Sequence, residues 1–300
     1  MKAIIPVAGK GVRLLPHTVS RQKALLPVGG KAVLDYVLEP LIANGVNEFA
    51  MVIGHLGAQI RQHMAAYDSV TVTYHEQIRQ RGLGDAVLLG LADRDEPALI
   101  VLPDTIFEMD YAGLISGSGN HIGVVEVDNP QDFGVVELLG RRVVDLEEKP
   151  AEPVSNLVIA GIYRIESQRR LRVALQSIID NHATTKGEFQ LTDGLKMMLE
   201  GGANIRTVEI ERWLDCGTPE NLLHTNEYLL RRYPENVFIH PTARVKGATV
   251  RNATIMDGCE VVDSILDNCI VLPGASIINS SVRGEIIKSS AQLKGYVTGG

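Results

Sequence analysis

The chain has 300 residues, of which 45% are hydrophobic and 22% charged, with a net charge of −7. This is the make-up of an ordinary globular protein able to bury a sizeable core in one or two domains. Lys and Arg are scattered without a basic stripe, which argues against nucleic acid or an anionic membrane as partner. The three cysteines, Cys216, Cys259 and Cys269, lack metal-ligand spacing and argue against a disulfide framework or a zinc site. The opening residues MKAIIPVAGKG do not read as a secretory signal. No stretch approaches the ~20 apolar residues of a membrane helix, so the expected location is the cytoplasm.

In chain order, residues 3–8 form a short apolar run that stops at Gly9 and read as a buried strand. Residues 32–44 carry Val33, Val37 and Leu41 at helical spacing and end near Gly45. Residues 49–53 read as a strand, 70–74 alternate, 85–92 read as a helix, and 98–102 are a continuous apolar run. This β-α-β-α order predicts a mainly parallel sheet covered by helices. Such sheets bind ligands at the carboxyl ends of their strands, so chemistry is expected just after Ala8 and just after Leu102. Residues 122–127, 134–138 and 143–147 predict shorter, more antiparallel strands that build a lid or platform. Helices are expected at 167–179 and 191–199.

From Phe238 the sequence repeats every sixteen residues: FIHPTARVKGATVRNA, TIMDGCEVVDSILDNC, IVLPGASIINSSVRGE and IIKSSAQLKGYVTGG. Ile239, Ile255, Val271 and Ile287 share a column, as do Val245, Val261, Ile277 and Leu293, and Val250, Leu266 and Val282. Three short sides per turn, each with one inward aliphatic residue, describe a β-helix coil whose core forms only when coils stack. The pattern resembles a shortened left-handed hexapeptide-type β-helix.

The densest chemistry lies in the first loop, Gly9-Lys10-Gly11-Val12-Arg13-Leu14-Leu15-Pro16-His17-Thr18, followed by Lys23-Ala24-Leu25-Leu26-Pro27. Glycines after a strand let backbone N–H groups approach an anion, and Arg13 and Lys23 add two cations. A lone Gly-x-Gly would read as a tight turn. The loop is not a Walker A motif, and Leu14 stands where the dinucleotide fingerprint has its third glycine. The whole string resembles the signature of the nucleotide-sugar pyrophosphorylases, with Val12 where that family usually has Thr or Ser, and Gln22 where Pro often precedes the Lys. Further segments match in order: Gln77 to Ala86, Leu99 to Thr105, Phe133 to Glu137, Leu146 to Pro150, Ala160 to Tyr163, Lys186 to Asp193 and Arg212 to Thr218.

The resemblance implies an α/β fold with a Rossmann-like, mainly parallel mixed sheet in residues 1–233 and a short left-handed β-helix in 234–300. It implies that Arg13, Lys23 and Lys149 act on phosphates and that Ala8, Gly9, Gly11, Gln77 and Gly82 bind the nucleotide. The Gln77 amide would meet the edge of uracil or thymine, since it offers both a donor and an acceptor; Gln80 is the second candidate. Gly134, Glu148, Lys149, Gly161, Tyr163 and Glu188 would bind the sugar phosphate. Asp104 and Asp215 would hold Mg2+, with Pro103 standing where the family usually has Gly. The implied substrates are dTTP or UTP and a sugar 1-phosphate, most commonly glucose 1-phosphate, in a homodimer or homotetramer. The rival readings are another sugar donor, a β-helix acyltransferase using His224 or His240, and a non-catalytic assembly subunit. Thr192 and Asp193 have a plainer alternative role as helix caps, and so does Asp104.

Overall fold

The computed structural model describes residues 1–298, which gather into two compact units. The first comprises Met1–Gly9, Val37–Pro103 and Phe107–Trp213; the second comprises Lys10–Tyr36, Asp104–Ile106 and the chain from Leu214 onward. These units cut across the 1–233 and 234–300 segments read from the sequence.

The first unit is built on a nine-stranded sheet. Its order is Thr71–Glu76, Glu48–Ile53, Lys2–Val7, Ala98–Val101, Leu157–Ile165, Asn120–Glu126, Ile205–Glu209, Arg142–Glu148 and Gly134–Leu139. The first four strands run parallel, and Lys2–Val7 is buried at every position after Lys2, as expected of a strand covered on both faces. Beyond them only Asn120–Glu126 and Ile205–Glu209 pair in parallel; the other pairings are antiparallel. The expected mainly parallel sheet is therefore confined to one half. The other half turns back too quickly for crossovers, as where Gly140 and Arg141 alone separate two strands. Strand register brings the carboxyl ends of three parallel strands side by side: Val7 pairs with Ile53 and Ile53 with Glu76. Ala8, Gly54 and Gln77 therefore emerge along one edge.

Helices Leu83–Gly90, Gln168–Asp180 and Leu191–Glu200 supply Ala86, Val87, Leu171, Leu175 and Leu195 to the main core of this unit, where they meet Ile4, Val52, Ile100 and Val136. Ser167 starts the second of these helices, its hydroxyl oxygen accepting from Arg170 N at 3.2 Å. The expected helices at 32–44, 85–92, 167–179 and 191–199 are observed as Val33–Ala43, Leu83–Gly90, Gln168–Asp180 and Leu191–Glu200. Among the described residues no helix is long and apolar enough to cross a membrane, and the three cysteines are free and buried.

In the second unit the sixteen-residue columns appear as strand register. Ile239 pairs with Ile255, Ile255 with Val271 and Val271 with Ile287. Val245, Val261, Ile277 and Leu293 form a second parallel ladder, and Val250, Leu266 and Val282 a third. Val261, Leu266, Ile277 and Val282 are fully buried in a shared core. The corners repeat too: Gly247, Asp263, Asn279 and Gly295 all have positive φ, as do Asn252, Asn268 and Gly284. Gly, Asn and Asp are the residues that enter that region most easily. This stack of parallel strands is consistent with a β-helix. Helix Pro219–Leu230 packs on it through Leu222, Leu223 and Leu229 against Ile270, Leu272 and Ile286.

Candidate active site

In the first unit, the segment after strand Thr71–Glu76 folds back on itself. Gln77 is 7% exposed, its backbone N–H donates to Ile53 O at 2.9 Å, and its Nε2 donates to Gly82 O at 3.1 Å and to Asp85 Oδ2 at 2.8 Å. Gln80 reaches across the edge and donates to Ala8 O at 2.9 Å. Gly82 has φ +113°, and a Cβ there would lie 2.5 Å from Phe189 O, so only glycine suits both the conformation and the approach. The same stretch is stitched to the 185–190 loop by Gly84 N–H donating to Phe189 O and Phe189 N–H donating to Arg81 O, both at 2.8 Å. Gly9 follows Ala8 at the sheet edge.

That loop leads to a second group of predicted residues. Glu148 ends its strand opposite Gly134 in register. It accepts from Thr192 Oγ1 at 2.6 Å, and its Oε1 lies 3.7 Å from Lys149 Nζ. Burial raises the Glu148 carboxyl, while Thr192 and Lys149 pull it down. Lys149 holds a positive φ of 46°, and its side chain is 41% exposed. Exposed Glu188 accepts from Gln190 Nε2 at 3.3 Å. Gly161 O accepts from Leu102 N–H at 2.8 Å. Tyr163 lies within the main core, 3% exposed, and its phenol is raised by burial and then by the charge of Glu148. Trp213 donates from Nε1 to Ala160 O at 3.0 Å and packs edge-on to Phe133 at 5.8 Å, bracing the strand that carries Gly161. Thr192 and Asp193 are not caps: Gln190 precedes the helix without a capping side chain, and Asp193 accepts from Thr185 Oγ1 at 2.8 Å.

The second unit gathers charge. Arg13 lies in a short 3-10 turn, Val12–Leu14, that follows Gly11, and Gly11 O accepts from Thr18 Oγ1 at 2.8 Å. Lys23 Nζ pairs with Asp104 Oδ2 at 2.6 Å, with the two side chains 19% and 17% exposed. Asp104 O accepts from Cys216 N–H at 2.8 Å, bringing the preceding residue, Asp215, beside it. Asp215 accepts from Gly217 N–H at 3.0 Å and from Asn221 Nδ2 at 2.5 Å. A side chain at Gly217 would come within 2.8 Å of the Arg13 guanidinium and 3.0 Å of Asp215 Oδ1, so glycine leaves room for that cation beside the carboxylate. Burial works to raise the Asp104 carboxyl, but Lys23 and then Arg13 hold it below the usual carboxylate range. Asp215 shifts the other way: burial raises it, Asn221 opposes, and the neighbouring Asp104 charge adds to the rise. Two cations and two carboxylates on one set of loops, with one carboxyl already strained by its like-charged neighbour, suit binding of phosphate oxygens and a hard cation.

Residues 2–232 match the family model described as nucleotidyl transferase. The chain belongs to the nucleotidyl transferase family. Among curated relatives, it is 35% identical over 237 residues to the bifunctional protein GlmU of Methanococcus maripaludis, covering 77% of this chain and 55% of that protein. It is 30% identical over 300 residues to a glucose-1-phosphate thymidylyltransferase of Streptomyces antibioticus, covering 96% of this chain and 77% of that one. It is also 30% identical over 277 residues to the low-salt glycan biosynthesis nucleotidyltransferase Agl11 of Haloferax volcanii, covering 88% and 73%. The chain thus spans about half the length of the Methanococcus maripaludis GlmU. Among solved structures, a candidate glucose-1-phosphate thymidylyltransferase of Bacillus anthracis, in complex with sucrose, superposes with a TM-score of 0.66 at 26% identity, covering 78% of this chain and 96% of that one.

Two residues that were given no role from the sequence hold predicted ones in place, Asp85 on Gln77 and Asn221 on Asp215, and Thr192, read there as a possible cap, holds Glu148. Asp85 and Asn221 sit in the first turn of helices Leu83–Gly90 and Pro219–Leu230. A short polar side chain at a helix start, just after a predicted binding segment, is the signal that would have found them.

Proposed function

We propose that this chain transfers a nucleotidyl group from dTTP or UTP to a sugar 1-phosphate, with glucose 1-phosphate as the acceptor, releasing pyrophosphate and yielding the nucleotide sugar. The observation that carries the reading is the cluster of Arg13, Lys23, Asp104 and Asp215 within one unit of a chain of this family. In the reaction, an oxygen of the sugar phosphate attacks the α-phosphorus. The bond from that phosphorus to the α,β-bridging oxygen breaks, and pyrophosphate leaves with the electron pair. The attacking phosphate is already ionised near neutral pH, so no general base is needed, and positioning and charge neutralisation do the work.

Arg13 and Lys23 hold the departing β and γ phosphates. Lys149 holds the 1-phosphate, and Glu148 accepts hydrogen bonds from sugar hydroxyls while Glu188 borders the sugar. Gln77 meets the base edge above the Gly82 turn. Among the described residues no group of three or more His, Cys, Asp and Glu side chains is placed to hold a metal. A cation on Asp104 and Asp215 therefore needs substrate oxygens and water to complete its shell, which fits Mg2+. When bound, Mg2+ supplies charge withdrawal from the triphosphate oxygens. The family match over residues 2–232 supports reading 1–233 as the transferase part, and the stacked parallel ladders support reading 234–300 as an appended β-helix, taken as left-handed from the sixteen-residue repeat. The buried free thiols fit a cytosolic setting.

The role assignments are tested by turnover. Arg13→Ala and Asp104→Asn should each lower pyrophosphate release at least ~100-fold, the scale of losing a principal electrostatic contact. Near-normal turnover in either folded variant would overturn that residue's role.

A further inference from the structure

Gln77 is held by two groups that can only accept a hydrogen bond. Its amide nitrogen lies 3.1 Å from Gly82 O and 2.8 Å from Asp85 Oδ2. A backbone carbonyl has no proton to give, and the other oxygen of Asp85 accepts from the Arg81 guanidinium at 2.5 Å, so both oxygens of that side chain serve here as acceptors. The two ends of a glutamine amide are often interchangeable, and their assignment rests on the surrounding partners. Here the partners decide it. Flipping the amide would place Oε1 against two acceptors and leave both N–H groups without their bonds, in a residue that is 7% exposed.

The holding groups are themselves fixed. Asp85 is 3% exposed, at the start of helix Leu83–Gly90. Arg81, half exposed, also lies over the Phe189 ring with 5.6 Å between its guanidinium carbon and the ring centroid. Gly82 is held between the two bonds that tie Arg81 O and Gly84 N–H to Phe189, and its own carbonyl also accepts from Ala86 N–H at 3.2 Å.

We infer that Asp85 is a specificity-determining positioning residue: it commits the donor half of the Gln77 amide, so that only the Oε1 acceptor is offered to the nucleobase. This rests on the reading of Gln77 as the base-facing residue. An acceptor alone at that point selects a ring that presents N–H. Uracil and thymine carry a proton on N3, whereas N3 of cytosine is itself an acceptor and would face Oε1 with lone pair against lone pair. Discrimination among pyrimidines then comes from an unmet, buried acceptor, the kind of mismatch that penalises a wrong ligand strongly. The choice between a uracil-type and a cytosine-type base is thus set by a carboxylate that does not touch the base.

The test replaces the carboxylate by groups that can also donate. In Asp85→Asn the new amide can turn its N–H toward residue 77, which allows the Gln77 amide to flip; Asp85→Ser does the same with a hydroxyl and is the second variant should the first not fold. Binding is measured by calorimetry with Mg2+ present, for UTP against CTP and for dTTP against dCTP, so that each pair shares its sugar. The wild type is expected to prefer the N3–H base in both pairs. The variants are expected to shrink that preference by about tenfold or more, chiefly by tightening CTP and dCTP. A structural role alone would weaken both members of a pair equally and leave the ratio unchanged. An unchanged ratio in a folded variant, with the wild-type preference intact, overturns the role of Asp85. A wild type that binds CTP as well as UTP, and dCTP as well as dTTP, overturns instead the assignment of Gln77 to the base.

Discussion

Replacing Lys23 by Met removes the nearest charge partner of Asp104. The two groups lie 2.6 Å apart, and their side chains are only 19% and 17% exposed, so the loss should fall between two known regimes. Exposed pairs contribute ~0–1 kcal/mol, and stripping one partner from a fully buried pair costs ~3–5 kcal/mol. A cost of about 2–3 kcal/mol follows for Lys23→Met. Most of it comes from leaving a carboxylate that burial already works to neutralise. Removing that charge as well, in Lys23→Met with Asp104→Asn, should therefore recover part of the loss, with a coupling of about 1–2 kcal/mol between the sites. For a protein of this size 1 kcal/mol moves the melting midpoint by roughly 2–4 °C. The single variant should then melt about 4–12 °C below wild type and the double variant above the single. Differential scanning calorimetry without ligand reads both. A Lys23→Met protein that melts with the wild type, or a double variant whose loss equals the sum of the two single losses, would refute the argument.

Gly82→Ala places a side chain at φ +113° and within 2.5 Å of Phe189 O; the conformation costs ~1–3 kcal/mol and the overlap ~1–3 kcal/mol. It should melt well below wild type and bind UTP more weakly, whereas an unchanged melt would show that the 185–190 loop yields freely. Burial raises Glu148, so its carboxylate is lost on acidification at a pH above the ordinary glutamate value. Affinity for glucose 1-phosphate should accordingly fall as pH drops through that raised value. Glu148→Gln should bind more weakly and show no such fall, and an identical acid limb in the variant would assign the titration elsewhere.

The apolar run at 3–8 was legible as a strand because burial on both faces leaves no polar position to blur it. The sixteen-residue columns were legible for the same reason, since each coil repeats the environment of the one before; every aligned aliphatic pair recurs as a register pair. The corner column Gly247, Asp263, Asn279 and Gly295, all at positive φ, went unread because its residue types vary from coil to coil. The place of Leu157–Ile165, between Ala98–Val101 and Asn120–Glu126, was not legible, because pairing across such a span is decided by packing rather than by local pattern. Within the site, residue types at motif positions were readable, but the bond between Asp85 and Gln77 was not. It depends on how a helix start tucks beneath a loop. Tyr163 shows the converse: a polar tip in a motif-like segment proves to stand in the hydrophobic core.

The most direct test of the proposed activity is to incubate the protein with Mg2+ and glucose 1-phosphate, offer dTTP, UTP, CTP, GTP and ATP separately, and measure pyrophosphate release together with the nucleotide-sugar product. Release with dTTP or UTP, absent with CTP and with both purine nucleotides, is the predicted result. No release with any of the five, and none when other sugar 1-phosphates replace glucose 1-phosphate, would contradict the account.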